Sequence, residues 1–519
     1  MKLGKLLENL DYSLFTAAGE EASDPAARDM LLSREIPSVT NDSRQVEEGS
    51  LFFCIRGANR DGHDFAQEVI EKKAAALLVE EIPALSGAAR DGGAILVRMQ
   101  DTRLGMAFVS AAFYGHPARE MKVIGVTGTK GKTTTTYMIR DMLEAAGIPT
   151  GLIGTIEMTY KDVRRASGNT TPESLALQKD FREMADAGIR AVVMEVSSQA
   201  LMLHRTQGFT FDIGVFTNLT PDHIGQNEHK DFAEYLAMKR RLFTQCREGV
   251  FNGDDPHLSE ILEGHTCSVH TFGLKAGDDL YAQDLKLVRL PGALGIDFSL
   301  HGEIAEKAGI DPASRWEASL PGAFNVYNAM CAVEVCALLG AKPDAMKQAL
   351  SSCRVKGRIE IVPVSDAYTL LIDYAHNAVS LKSVLKTLRE YDPGRLVTVF
   401  GCGGNRDRNR RFEMGEVSGQ LSDLTIITSD NPRFEEPLDI MADIRTGLEK
   451  TDGTYVEIAD RKEAIRYAME NALPGDIVVL AGKGHEDYQE IRGVKHPMDE
   501  RDLIREILAE GSARGTADE

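Results

Sequence analysis

The chain carries no Cys-x-x-Cys pair, no excess of basic residues and no apolar run of bilayer length, and each absence removes a class of function. Its cysteines, Cys54, Cys246, Cys267, Cys331, Cys336, Cys353 and Cys402, are odd in number and scattered. Neither a disulfide frame nor a zinc site is expected, and they read as small buried hydrophobes in a reducing compartment. Lys and Arg number 59 against 79 Asp and Glu, a net charge of −20. Such a surface repels nucleic acid and anionic lipid, though it leaves room for an anionic small molecule in a local basic pocket. The opening Met1-Lys-Leu-Gly-Lys-Leu-Leu7 is too short and too amphipathic for a secretory signal. A cytoplasmic protein without membrane insertion is the expectation.

What is present is enough apolar residue, 43% of 519, to bury several cores, and at about 100–200 residues per domain the length suggests three. Gly115-His-Pro117 breaks the first mixture of apolar runs and helical stretches. From Lys122 onward apolar strands alternate with helices: Val123–Gly128, a helix from about Lys132 to Ala146, Ala191–Val196, Ile213–Thr217, and a helix across Phe232–Cys246. Extra β structure is expected around Leu280–Leu300, then a helix Asn325–Leu339. The pattern restarts with strands at Leu370–Asp373, Leu396–Phe400, Leu424–Thr428 and Ile477–Ala481. The expected fold is α/β in three domains: a smaller N-terminal α/β domain, 1–117, a central P-loop-type doubly wound parallel sheet, 118–352, and a C-terminal Rossmann-like domain, 353–519. The tail Gly511–Glu519 is expected to be disordered.

The most informative stretch is Val123-Ile-Gly-Val-Thr-Gly-Thr-Lys-Gly-Lys-Thr-Thr-Thr-Thr136, where an apolar strand breaks into a Gly-rich turn and then Lys132-Thr133. Turns lacking Cβ at Gly128 and Gly131 let backbone N–H groups approach phosphate oxygens. Lys132 can reach the outer phosphates, and the Thr133 hydroxyl can ligate Mg²⁺. The strict G-x-x-x-x-G-K-[ST] pattern fails, since Val126 stands five before Gly131, so the loop belongs to a variant class.

In open α/β sheets ligands bind beyond the carboxyl ends of the strands, and several apolar runs here end in polar clusters. Met194 leads into Glu195-Val-Ser197-Ser198, and Phe216 into Thr217-Asn218 and Asp222-His223. Glu195 and His223 can converge on a metal held by Thr133; alone, Glu195 also reads as a buried lysine's partner and His223 as a turn residue. In the C-terminal part, strands run into Gly401-Cys-Gly-Gly-Asn-Arg406, Ser429-Asp430-Asn431-Pro432-Arg433 and Gly482-Lys-Gly-His-Glu486. Arg406 and Arg433 can clamp a carboxylate while Glu486 pairs with an amine, which is what a zwitterionic amino acid needs.

Taken in order, Thr127-Gly-Thr-Lys-Gly-Lys-Thr-Thr134, Glu195-Val-Ser-Ser198, Thr217-Asn-Leu-Thr-Pro-Asp-His223, Gly322-Ala-Phe-Asn325, Gly357-Arg358 and Asp373-Tyr-Ala-His376 closely resemble the Mur ligases, ATP-dependent amide-bond-forming enzymes of peptidoglycan precursor synthesis. The resemblance implies an ATP site of Gly128, Thr129, Lys130, Gly131, Lys132, Thr133 and Thr134, with Asn325 on adenine and Arg358 and His376 as further contacts. It implies Mg²⁺ held by Thr133, Glu195, His223 and Lys239, the last carbamylated by CO₂, and catalysis resting on Lys132, Lys239, His223 and Glu195. Asn169, Thr170, Thr171, Ser197 and Arg205 match positions that hold the peptide and sugar end of a UDP-muramoyl dipeptide, and Ser43, in Asp42-Ser43-Arg44, matches the uridine segment. Asp430 to Arg433, with Gly482, Glu486 and Arg406, resemble the branch that adds a diamino acid, and arginine in that tetrapeptide is the form associated with meso-diaminopimelate. L-lysine or another amino acid, or a folylpolyglutamate-synthetase-like ligation, are the alternatives. By family analogy the D-Glu γ-carboxylate is the acceptor. A monomer without nucleic-acid partners is expected. Lys130 departs from the pattern, standing where the family commonly has Asn.

Overall fold

The computed structural model describes residues 1–515 apart from 59, 223, 226, 227 and 291, and His223 therefore lies outside the described residues. Backbone contacts divide the chain into two compact units. One comprises Met1–Thr136 with Gly147–Thr271, the other Tyr137–Ala146 with Phe272–Glu519.

The first unit opens with five short strands, β1 (Ser13–Thr16), β2 (Val39–Thr40), β3 (Leu51–Phe53), β4 (Ala76–Val79) and β5 (Ile95–Arg98), in the order β1-β5-β4-β3-β2. Only β1 runs antiparallel to its neighbour. Then follow β6 (Lys122–Thr127), β7 (Thr150–Ile153), β8 (Glu157–Tyr160), β9 (Val163–Ala166), β10 (Ala191–Glu195), β11 (Phe211–Phe216) and β12 (Cys246–Asn252), ordered β12-β11-β6-β10-β7-β8-β9. Strands β7, β10, β6, β11 and β12 are parallel, while β8 and β9 fold back antiparallel. Continuous apolar runs suit such a sheet, because helices cover both of its faces; every residue from Val123 to Thr127 is buried.

In the chain after β12 come β13 (Ser268–Gly273), β14 (Leu280–Leu290), β15 (Ala293–His301) and β16 (Trp316–Ala318). In the second unit β14, β15 and β16 pair antiparallel, and the apolar helix Ala323–Leu338 packs on them. The same unit holds β17 (Glu360–Val362), β18 (Thr369–Asp373), β19 (Leu396–Phe400), β20 (Leu424–Ile427), β21 (Tyr455–Glu457) and β22 (Ile477–Ala481), ordered β17-β18-β22-β19-β20-β21 and parallel except for β17. A hairpin of β23 (Tyr488–Ile491) and β24 (Val494–Pro497) follows.

Two expectations change. The helix foreseen across Phe232–Cys246 ends at Arg240, passes through a tight turn at Arg241–Thr244, and yields Cys246 to β12. Pairing of Cys246 with Phe211 places it in the buried sheet, and that burial outweighs helical continuation. The last helix runs Glu500–Gly515, so part of the tail expected to be disordered is helical, while 516–519 lie outside the described residues. Buried Ile504 and Ile507 anchor it to the core, and Lys462 and Arg466 pair with Glu506 and Glu510 along it. All seven cysteines are free and buried. Among the described residues no helix is long and apolar enough to cross a membrane.

Candidate active site

Strand β6 lies between β10 and β11, so the chain leaving its carboxyl end enters a crevice flanked by Glu195 on one side and Thr217-Asn218 on the other. The loop is held by those neighbours. Thr129 N–H donates to Asn218 O at 2.9 Å, and Lys130 N–H to Asn218 Oδ1 at 2.9 Å. Gly128 has φ 149° and a Cβ there would collide with the Thr217 hydroxyl, so only glycine fits the turn. Lys130 uses its backbone for these contacts, its carbonyl also accepting from Thr217 Oγ1 at 2.7 Å, while its side chain is exposed. The loop's contacts at position 130 are therefore made by the backbone rather than by the exposed lysine side chain.

Lys132 opens the helix Lys132–Ala145, and its ammonium donates to the loop's own carbonyls, Gly128 O at 2.8 Å and Thr129 O at 3.1 Å. Lys239, 1% exposed, donates to the same Gly128 O at 2.8 Å and sits 4.6 Å from the Tyr235 ring centre. Burial, and then the nearby Lys132 charge, hold its pKa well below the usual lysine range. Glu195, also 1% exposed, accepts from Thr133 Oγ1 at 3.0 Å, and from Thr155 N–H at 2.8 Å and Thr155 Oγ1 at 3.1 Å. A hydroxyl and a buried carboxylate in contact at the end of a phosphate-type loop are hard oxygen donors, the set that suits Mg²⁺.

Beside them a cavity of about 180 Å³ is lined by Lys132, Lys239, Asn169, Thr170, Thr171, Ser197 and Arg205, residues spread over more than a hundred positions of sequence. Thr171 Oγ1 ties the wall together, donating to Glu195 O at 2.9 Å and accepting from Ser197 N–H at 3.1 Å. Arg205 donates to Thr171 O at 3.0 Å and pairs with Glu173 at 2.7 Å; Glu173 reaches Arg103 of the N-terminal part at 3.3 Å. Ser43 does not line this cavity; it lies in the turn Ser43–Gln45 between β2 and β3. Sequence reading missed Thr155, Glu173 and the buried His229, whose Nε2 lies 2.8 Å from Ser198 Oγ. Position after the β7 carboxyl end is the one signal that pointed at Thr155.

In the second unit the strand ends of β18, β19, β20 and β22 gather the other candidates. Asn431 donates to Glu486 at 2.9 Å, and fully buried Lys483 donates to both, to Asn431 Oδ1 at 2.9 Å and to Glu486 at 2.8 Å. Asp430 turns back to accept its neighbour's N–H, Asn431 N, at 2.6 Å. Arg433, at φ 53°, pairs with Glu490 at 3.0 Å and donates to Gly404 O at 2.7 Å, whereas Arg406 is exposed. A Cβ on Gly482 would meet Asp430 Oδ2 at 3.0 Å, so the two loops touch. Nearby, Arg358 lies 4.9 Å over the Tyr374 ring, which also contacts His376 and His485. Burial first, then the Arg358 charge, push His485 down to about 4. Gly357, at φ 69°, approaches the Gly484-His485 backbone so closely that a Cβ would overlap it. Asn325 is buried on the helix Ala323–Leu338, where its amide donates to Pro321 O at 2.8 Å.

A nucleotide-type loop with a lysine, an adjoining hydroxyl and carboxylate pair, and a separate cluster of paired charges are the kind of groups a nucleotide-dependent ligase needs. Family models agree: "Mur ligase family, catalytic domain" matches residues 35–110, "Mur ligase middle domain" residues 126–336, and "Mur ligase, glutamate ligase domain" residues 357–484. The chain belongs to the Mur ligase family and is an enzyme of it. It is 40% identical, over 98% of its length and 100% of the relative's, to UDP-N-acetylmuramoyl-L-alanyl-D-glutamate–2,6-diaminopimelate ligase 1 of Clostridium acetobutylicum. The corresponding ligase of Geobacter metallireducens is 39% identical, over 93% of this chain and 96% of its own. Among solved structures, one of a UDP-N-acetylmuramoyl-L-alanyl-D-glutamate–2,6-diaminopimelate ligase superposes with a TM-score of 0.68 at 29% identity, covering 93% of this chain and 96% of that one.

Proposed function

We propose that this enzyme uses ATP to join 2,6-diaminopimelate, in its meso form, to UDP-N-acetylmuramoyl-L-Ala-D-Glu, a step of peptidoglycan precursor synthesis. The observation that carries the reading is the single cavity that places Lys132 and Lys239 against Asn169, Thr170, Thr171, Ser197 and Arg205. A carboxylate is a poor electrophile in water, so it has to be activated. A D-Glu carboxylate oxygen, the γ one by family analogy, bonds to the γ-phosphorus of ATP, the bond to the β–γ bridging oxygen breaks, and ADP leaves. The diaminopimelate amine then bonds to the carbonyl carbon of the acyl phosphate, a proton is lost, and inorganic phosphate departs.

Lys132 neutralises the charge on the transferring phosphoryl group, exchanging its loop carbonyls for phosphate oxygens. Gly128, Thr129, Lys130, Gly131 and Thr134 supply the turn and first helical residues around the phosphates, while Asn325, Arg358 and His376 take the adenosine end. Thr133, Glu195 and Lys239, with His223, would hold Mg²⁺, which when bound would offset the negative charge of the reacting phosphates. Burial and the Lys132 charge, which lower the Lys239 pKa, favour its amine over its ammonium form; reaction of that amine with CO₂ forms the N–C bond of a carbamate, releases a proton, and gives the site another anionic oxygen. Arg205 faces the acceptor's carboxylate. Arg433 and Arg406 take the carboxylate of the incoming amino acid, and Glu486 with Asn431 its ammonium group. In functional terms 1–117 then serve the uridine end through Ser43, 118–352 the ATP chemistry, and 353–519 the amino acid.

Purified protein supplied with ATP, Mg²⁺ and the muramoyl dipeptide should release phosphate with diaminopimelate and form the tripeptide nucleotide. A panel in which only L-lysine or another amino acid supports release replaces the substrate assignment. No release with any amino acid sinks the reading altogether.

A further inference from the structure

Two loops of the second unit carry groups proposed above for the incoming amino acid, residues 430–433 beyond β20 and 482–486 beyond β22. Strand β19 lies between β22 and β20, so the two loops are not neighbours in the sheet. They nevertheless build one feature together, because Asn431 of the first donates to Glu486 of the second at 2.9 Å. Backbone groups that leave a sheet ladder need other partners. One buried side chain, outside every motif read in the sequence, serves both strand ends.

Arg461 opens the helix Arg461–Glu470, and its guanidinium is buried. Nη1 donates to Ser429 O and Nη2 to Ala481 O, each at 3.1 Å, and these two residues stand immediately before Asp430 and Gly482. Nε and Nη2 also meet one carboxylate oxygen of Glu500 at 2.8 Å. Glu500 is fully buried at the start of the last helix, and its other oxygen has no hydrogen-bond partner among the described residues, so its carboxylate bonds to the guanidinium alone. Arginine's planar, rigid fork can hold two carbonyls and a carboxylate at fixed angles, whereas an ammonium on a flexible stem imposes no such plane. A buried ion pair adds little net stability, because desolvating both charges offsets their attraction. Fixing the distance between the two carbonyls is the role that suits this one.

We propose that Arg461, held by Glu500, is a positioning residue for the incoming amino acid: it sets the separation of the two loops, so that Asn431 and Glu486 meet around the ammonium group while Arg433 faces the carboxylate. The assignment to an amino acid rests on the ligase reading above. Arg461 acts through the backbone, without touching substrate. Misplacing reacting groups by about 1 Å can cost about 10²-fold in rate, so a small change in loop separation has a measurable effect.

Arg461→Lys keeps a charge beside Glu500 and gives up the fork. Amide hydrogen exchange of the full chain should quicken about tenfold in both loops, 430–433 and 482–486, and stay unchanged in β6. In the phosphate-release assay the diaminopimelate KM should rise about tenfold, with the ATP and muramoyl-dipeptide KM values held within about twofold. Unchanged exchange in the two loops overturns the proposal, and so do KM values that rise together for all three substrates, since the change is then a general loosening. Should Arg461→Lys fail to fold, Glu500→Gln decides: it removes the charge that holds the guanidinium, and unchanged exchange with an unchanged amino-acid KM rejects the assignment. Wild-type protein that releases no phosphate with any amino acid removes the ligase reading instead, and exchange in the two loops still decides whether Arg461 ties them.

Discussion

The phosphate-loop crevice and the charged site of the second unit are both built beyond the carboxyl ends of parallel strands, yet they satisfy their polar groups differently. Around the loop the partners are mostly neutral: Lys132 and Lys239 rest on backbone carbonyls, and Glu195 accepts from two threonines. In the second site charge answers charge, with Arg433 on Glu490 and Lys483 on Glu486. A neutral cradle leaves its net charge to be completed by an anionic ligand, which suits a nucleotide. A self-neutralised cluster suits a zwitterion, whose two charges replace internal partners one for one at little desolvation cost.

The comparison breaks most sharply at Lys132. Lys132→Ala should lower kcat by about 10³-fold with little change in amino-acid KM, measured by phosphate release; a loss confined to amino-acid KM would erase the distinction between the sites. Next comes pH. His485 is held neutral, its pKa about 4 against an unfolded 6.5, so between those values the unfolded chain binds more protons. Stability is therefore full above about pH 6.5 and falls as pH drops toward 4, by about 3 kcal/mol in all. Denaturant melts of His485→Gln should show that slope flattened, and an unaltered slope would place the acid sensitivity elsewhere.

A smaller effect is expected at Arg433. Arg433→Ala should raise the diaminopimelate KM about 10–100-fold, the range for a lost charged hydrogen bond, and leave the ATP KM unchanged. Equal shifts in both would show that the arginine only supports the loop. Smallest is Glu173→Gln, which loosens Arg205 while keeping its contact with Thr171. A rise of about 3–10-fold in muramoyl-dipeptide KM at constant kcat is expected, in keeping with a partly exposed ion pair, and no change would limit Glu173 to a structural tie.

Much of this was legible from the chain. Apolar runs ending in Gly-Lys-Thr, Glu-Val-Ser-Ser and Asp-Asn-Pro-Arg mark strand ends directly, since buried parallel strands have to be apolar and their ends have to turn. The Phe232 helix was overestimated because helical periodicity carries no signal of where a strand claims the next residue. Glu173 and Glu490 left no trace at all, and Thr155 only its place after the β7 strand, being ordinary polar residues whose importance is a matter of what they touch.

Local chemistry in the sequence determined the loop, the strands and the kinds of charge available, because turn geometry, apolar burial and functional-group type are set within a few residues. Only the tertiary structure decided which of those groups meet. It brought Asn169, Ser197, Arg205 and Lys239 to one cavity, gave Arg433 its glutamate, and buried Lys239 where burial and a neighbouring charge lower its pKa. Partnership and desolvation depend on packing between distant segments, and no spacing along the chain encodes them.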